Sequence, residues 1–181
     1  MASLEKVRFL IVDDNVHMLN IVKTLLRGFG ALKVLEAKST NDAFDKIREE
    51  AIDIVLLDYE MDDEDGVAFL TRLRRDPKSP APFMPVIMLT SHSERTRVEA
   101  ARDAGVSEFC AKPVTAAELL RKIAAVIDSP RAFIRADTYV GPDRRRRDDP
   151  EFPGPERRKD RMKAAPATDR AEGSDGAVTR Q

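Results

Sequence analysis

The sequence predicts an α/β domain, a five-stranded parallel sheet with helices on both faces, followed by a mostly disordered tail. Three observations carry this. Short apolar runs recur five times, and stretches of helical periodicity separate them. The central runs are apolar at consecutive positions rather than at alternate ones, as strands covered on both faces are. The apolar texture then stops at Ser129-Pro130.

The elements follow in order. A first strand is expected near 7–12, ending in Phe9-Leu10-Ile11-Val12, and a helix near 16–28, where Leu19, Val22 and Leu26 keep one face apolar. A second strand near 32–36 leads to a helix near 40–50, with Ser39 as its N-cap. The third strand, near 53–57, holds Ile54-Val55-Leu56-Leu57 and precedes a helix near 66–75. The segment Asp76-Pro77-Lys78-Ser79-Pro80-Ala81-Pro82 breaks that helix before a fourth strand near 85–89, which carries Val86-Ile87-Met88-Leu89. A helix near 94–104 ends before Gly105, and the fifth strand lies near 107–111. The last helix, near 115–127, shows Leu119, Ile123 and Val126 at helical spacing, with Thr115 and Glu118 placed as a capping box. Residues 5–128 are therefore expected to form one domain, and 129–181 the tail.

The last 53 residues hold six of the eleven prolines and no leucine. Such a segment buries too little apolar area to offset an ordering entropy of roughly 1–2 kcal/mol per residue. It contains one repeated pattern. Tyr139-Val140-Gly141-Pro142-Asp143-Arg144-Arg145-Arg146 is echoed thirteen residues later by Phe152-Pro153-Gly154-Pro155-Glu156-Arg157-Arg158-Lys159. Both read aromatic, any residue, Gly, Pro, acid, Arg, Arg, basic. Tyr139, Arg144, Arg145, Phe152, Arg157 and Arg158 are candidate docking residues, each motif offering an aromatic anchor and a guanidinium fork. The bland alternative is a solvated tail whose Arg144–Arg147 run is neutralised by Asp148-Asp149.

The net charge of −1 splits into −4 up to Asp128 and +3 beyond it. The whole chain is not an electrostatic binder of nucleic acid, and stacking aromatics are sparse in the basic part. The single cysteine, Cys110, cannot form an internal disulfide and is expected to be a buried small hydrophobe. No signal peptide and no run of about 20 apolar residues is present, so a cytoplasmic location away from the membrane is expected.

In an open parallel sheet the carboxyl ends of the strands share one edge, where ligands bind. Asp13 and Asp14 follow the first strand, Asp58 the third, Thr90 the fourth, and Lys112-Pro113 the fifth. Three carboxylates suit a small hard cation such as Mg²⁺, which relieves their repulsion and can hold phosphoryl oxygens. One carboxylate serves as nucleophile, Lys112 as a second cation, and Thr90 as a hydroxyl donor. Singly these residues have duller readings: Asp13-Asp14 as a helix cap, Lys112-Pro113 as a turn, Phe109 as core and His17 as a solvated surface residue.

Taken together they resemble the receiver domains of bacterial two-component response regulators, over residues 7–127. The resemblance rests on the strand-Asp13-Asp14 pattern, Asp58 ahead of Met61 and Asp65-Gly66, Thr90, Phe109 and Lys112-Pro113. It implies a flavodoxin-like fold with strand order 2-1-3-4-5. It implies that Asp58 is the phosphoacceptor and that Mg²⁺ is held by Asp14, Asp58 and the Glu60 backbone carbonyl, with Asp13 acting through water. Lys112 would bridge to the phosphoryl group, the peptide before Pro113 would be cis, and Thr90 with Phe109 would form the switch. Glu60 and His92 occupy the positions that tune acyl-phosphate lifetime. Asp62 stands where proline is common, which is expected to make its loop more mobile, and Ser91 replaces the usual alanine.

The expected partners are a histidine kinase or histidine phosphotransfer protein and a downstream protein not identified by sequence, with phosphorylation-dependent dimerisation open. Two other classes remain. In one, the tail dominates as a docking adaptor switched by the receiver. In the other, the chain is a haloacid-dehalogenase-like phosphatase, but such enzymes want an acid two residues after the nucleophile and a cap insertion. Asn15 follows Asp13 at that spacing, Glu60 follows Asp58, and no cap insertion is visible.

Overall fold

A computed structural model describes residues 3–91, 95–136, 139–143 and the backbone of 160–162. After a short 3-10 turn at Leu4–Lys6, five strands alternate with five helices. The strands are β1 (Arg8–Val12), β2 (Lys33–Ala37), β3 (Ile54–Asp58), β4 (Val86–Thr90) and β5 (Glu108–Ala111). The helices are α1 (Val16–Gly28), α2 (Thr40–Glu49), α3 (Gly66–Arg75), α4 (Arg95–Asp103) and α5 (Ala116–Asp128). All pairings in this sheet are parallel, in the order β2-β1-β3-β4-β5.

Strand periodicity divides the core in two. Phe9, Ile11, Ile54, Leu56, Ile87 and Leu89 face one side, packing on Leu19, Val22 and Leu26 of α1 and on Leu119 and Ile123 of α5. Leu10, Val12, Val55, Leu57, Val86 and Met88 face the other, against Phe44 and Ile47 of α2 and Phe69, Leu70 and Leu73 of α3. Cys110 is fully buried on the first of these faces.

The caps differ in detail from expectation. Asn15, not the acid pair, caps α1, accepting the His17 and Met18 amides. Ser39 caps α2 and Thr115 caps α5. The Glu118 carboxylate is engaged by Arg121, at 2.6 Å.

Within the tail expected to be mostly disordered, the described residues 131–136 and 139–143 are ordered. Two further strands, β6 (Phe133–Ala136) and β7 (Tyr139–Pro142), form an antiparallel hairpin, and β8 (Asp160–Met162) pairs on the other side of β6. The hairpin sits at the end of the main sheet away from Asp58. Arg131 donates to the Val106 and Ser107 carbonyls just before β5. Phe133, Ile134 and Val140 are buried, and Phe133 meets Phe83 edge to face at 5.6 Å. Averaging apolar content over the whole tail hid this local cluster, which completes its burial only against the preformed domain. Arg144, Arg145, Phe152, Arg157 and Arg158 lie outside the described residues.

Gly105 makes the seat for the hairpin. Its φ is +92°, and a Cβ there would come 2.5 Å from the Val140 carbonyl oxygen. Gly105→Ala is expected to lower stability by about 1–3 kcal/mol, through left-handed strain and a displaced hairpin. Chemical denaturation read by circular dichroism checks it.

Candidate functional site

The site lies on the carboxyl edge of the main sheet, where β1, β3, β4 and β5 end side by side. Asp58 is the last residue of β3 and Thr90 the last of β4; Asp13-Asp14 follow β1 and Lys112 follows β5. The structure brings Asp13, Asp14, Asp58 and Lys112 together. One oxygen from each of the three carboxylates lies within 4.8 Å of the others. Lys112 Nζ donates to Asp58 Oδ1 at 2.7 Å and to Asp13 Oδ2 at 3.4 Å. The Lys112–Pro113 peptide is cis.

Burial makes this cluster electrostatically tense. Asp13 is fully buried, Asp58 and Thr90 nearly so, and Asp14 is half-buried. Loss of water raises the Asp13 carboxyl above its ordinary value; the Asn15 amide opposes this, nearby Asp58 adds to it, and Lys112 counters it. Lys112 pairs with two of the three acids, Asp13 and Asp58. The donor set, all oxygen and partly desolvated, therefore fits a small hard divalent cation.

The remaining expected residues are distributed around this centre. Phe109 is half-buried on β5, paired in register with Met88, two residues short of the Ala111–Thr90 pair. The Glu60 carboxylate accepts from Arg97 of α4 at 2.8 Å, and the Arg97 guanidinium lies 5.5 Å from the Tyr59 ring centroid. His92 lies outside the described residues. Tyr139, a candidate docking anchor, is instead built into the hairpin, where its hydroxyl donates to the Pro142 carbonyl at 2.6 Å.

Three features were not anticipated from sequence. Asp62, at the position where proline is common, donates its N–H to Asp14 Oδ2 at 2.8 Å. A proline has no such donor, so this bond to the acid pair depends on the departure from proline. The neighbouring Asp63 accepts from both the amide and the hydroxyl of Thr40, at 2.8 and 2.9 Å. Arg74, fully buried in α3, donates to the carbonyls of Gly105, Pro82 and Met84 and lies 5.1 Å from the Phe133 ring centroid. Its helical phase was legible, since it lies four residues after Leu70 on the buried stripe. Its cationic head hid that.

A parallel sheet of this order, with an acid cluster and lysine on its carboxyl edge, defines a receiver-type signalling module. The family model described as response regulator receiver domain matches residues 9–124, and the chain belongs to that family. Chemotaxis protein CheY-3 of Vibrio cholerae is 32% identical over 124 residues, covering 68% of this chain and 94% of that protein. A CheY-like receiver domain protein from Methanospirillum hungatei has a solved structure with a TM-score of 0.61 and 28% identity, covering 68% of this chain and 95% of that one. The fold is also shared, at 24% identity and a TM-score of 0.59, by the receiver domain of Ssk1 from Saccharomyces cerevisiae, solved with the histidine phosphotransfer protein Ypd1. That alignment covers 66% of this chain and 87% of that one. Receiver domains are signalling modules. Among the described residues no helix is long and apolar enough to cross a membrane.

Proposed function

We propose that this chain is a phosphorylatable receiver that takes a phosphoryl group onto Asp58 with Mg²⁺ and signals by protein–protein contact. The observation that carries this is the pairing of Asp58 with Lys112 at 2.7 Å inside a cluster of three carboxylates. A nucleophilic oxygen beside a fixed ammonium is what an incoming phosphoryl group requires. The donor would be a phosphohistidine on a histidine kinase or histidine phosphotransfer protein, the class to which the partner of the Ssk1 receiver belongs. An Asp58 oxygen attacks phosphorus, the phosphorus–nitrogen bond breaks, and the imidazole leaves with its electron pair. Water later attacks the acyl phosphate, releasing phosphate and restoring the carboxylate.

Asp13, Asp14, Asp58 and the Glu60 carbonyl would hold Mg²⁺, which when bound neutralises charge on the transferred group. Lys112 steadies the phosphoryl oxygens, Thr90 offers its hydroxyl, and Phe109 follows Thr90 as the switch. Glu60 and His92 tune hydrolysis, with Glu60 restrained by Arg97. The chain works in the cytoplasm in this reading. The adaptor alternative is weakened by Tyr139, whose ring belongs to the hairpin rather than to a free docking peptide.

The full chain incubated with a small phosphodonor should gain the mass of one phosphoryl group with Mg²⁺ and none with a chelator. Labelling indifferent to Mg²⁺ would overturn the reading.

Asp13 supplies a second check. Its carboxyl titrates above its ordinary value, so ionising it costs the fold. Stability from this group is present below the unfolded carboxylate pKa and is lost as pH rises through the raised folded one. Asp13→Asn should therefore raise the melting temperature of the metal-free protein near neutral pH, since it removes the buried charge. It should also diminish the stabilisation that Mg²⁺ gives the unmodified chain. Paired thermal scans with and without Mg²⁺ measure both.

A further inference from the structure

The loop between β3 and α3 carries six acids within eight residues, Asp58 to Asp65. The structure gives several of them separate anchors. Glu60 is paired with Arg97 of α4, Glu64 with Arg72 of α3 at 2.8 Å, and Asp65 caps α3 through the Ala68 amide at 2.8 Å. The base of the loop is closed by the Gly66 amide on the Tyr59 carbonyl, at 2.9 Å.

At the tip, two neighbouring residues bond in different directions. The Asp62 amide reaches the Asp14 carboxylate, and the Asp63 carboxylate reaches the first turn of α2. Thr40, its partner there, is 1% exposed, so the anchor point is a buried, rigid helix start. A carboxylate at that place also meets the positive end of the helix. Burial alone would raise the Asp63 carboxyl, but the two Thr40 donors and the amides of Glu64 and Asp63 bring it below its ordinary value. The bond is thus made to the charged form.

We propose that Asp63 is a positioning residue for the cation site: seated on Thr40, it holds the loop so that the Asp62 amide orients the Asp14 carboxylate. This rests on the Mg²⁺ reading above. The main-chain donor engages Asp14 Oδ2, on a carboxylate that has an oxygen within 4.8 Å of oxygens of Asp13 and Asp58. An outer partner of this kind commonly decides how well a ligand is presented to a metal.

Mg²⁺ titration by calorimetry on the full chain, well below the melting temperature, tests it. Asp63→Ala should raise the Mg²⁺ dissociation constant about tenfold, at the low end for loss of an outer-shell support. Thr40→Val removes one of the two bonds and no charge, and should raise it about threefold. Asp63→Asn keeps an oxygen acceptor and should lie closer to the unmodified protein than Asp63→Ala does. An unchanged dissociation constant in Thr40→Val overturns the proposal. So do equal values for Asp63→Asn and Asp63→Ala, because a bare charge effect would then suffice. Failure of the unmodified chain to bind Mg²⁺ would instead remove the site reading itself, and the positioning role with it.

Discussion

Asp58→Asn should abolish labelling by a small phosphodonor in the presence of Mg²⁺, a fall of roughly 10³-fold or more, because the covalent route loses its nucleophile. The substitution is close to isosteric. An amide oxygen can still accept from Lys112, which now lies 2.7 Å from Asp58 Oδ1, so the fold should survive. Circular dichroism of the variant separates loss of chemistry from loss of structure. Lys112→Ala gives the complementary result. It leaves the Asp58 and Asp13 carboxylates without the ammonium that bridges them, raising repulsion in a buried place. Labelling should fall while Mg²⁺ binding persists or tightens, since one cation no longer competes with another. Intact-mass spectrometry reads the first outcome and calorimetry the second.

Arg74→Ala should destabilise the domain by about 3–5 kcal/mol, among the largest effects of any single substitution outside the hydrophobic core. The Arg74 side chain is fully buried and donates to three backbone carbonyls, those of Gly105, Pro82 and Met84. Truncation leaves these acceptors unsatisfied and opens a cavity beneath Phe133. Burial pulls the guanidinium pKa down to about 9, so it stays charged at neutral pH. Arg74→Lys keeps the charge but cannot reproduce the planar fork across three acceptors, and should recover only part of the loss. Because Arg74 links α3 to both the α4–β5 turn and the hairpin, proteolysis near residues 131–143 should accelerate in step with the fall in melting temperature. Unchanged stability in Arg74→Ala would show that the hairpin is seated by something else.

Much of the domain was legible because its signals are local. Each central strand is an uninterrupted apolar run, and each helix repeats on a three-to-four residue period. Observed bounds such as Ile54–Asp58 and Gly66–Arg75 lie within a residue or so of the expected ones. Placement of Asp13, Asp58, Thr90 and Lys112 followed from topology, since strand ends in a parallel sheet must converge. What escaped was non-local. Phe133, Ile134 and Val140 are too few to form a core of their own and are buried beside Arg74 of α3, Phe83 and the α4–β5 turn at Gly105. The Asp62 amide bond to Asp14 spans 48 residues of chain and has no local signature. Asp63 and Thr40 lie 23 residues apart, and nothing in either neighbourhood announces the bond. Arg74 sat on an apolar stripe, but the usual cost of burying a cation concealed the carbonyls that satisfy it.

The most direct test of the phosphoacceptor assignment is a high-resolution structure of the full chain with Mg²⁺ and beryllofluoride. The account predicts a beryllium adduct on an Asp58 oxygen, a fluorine in contact with Lys112 and another with Thr90, and one Mg²⁺ shared with the Asp13–Asp14 pair. An adduct on a different residue, or a cation bound away from these three carboxylates, would contradict it.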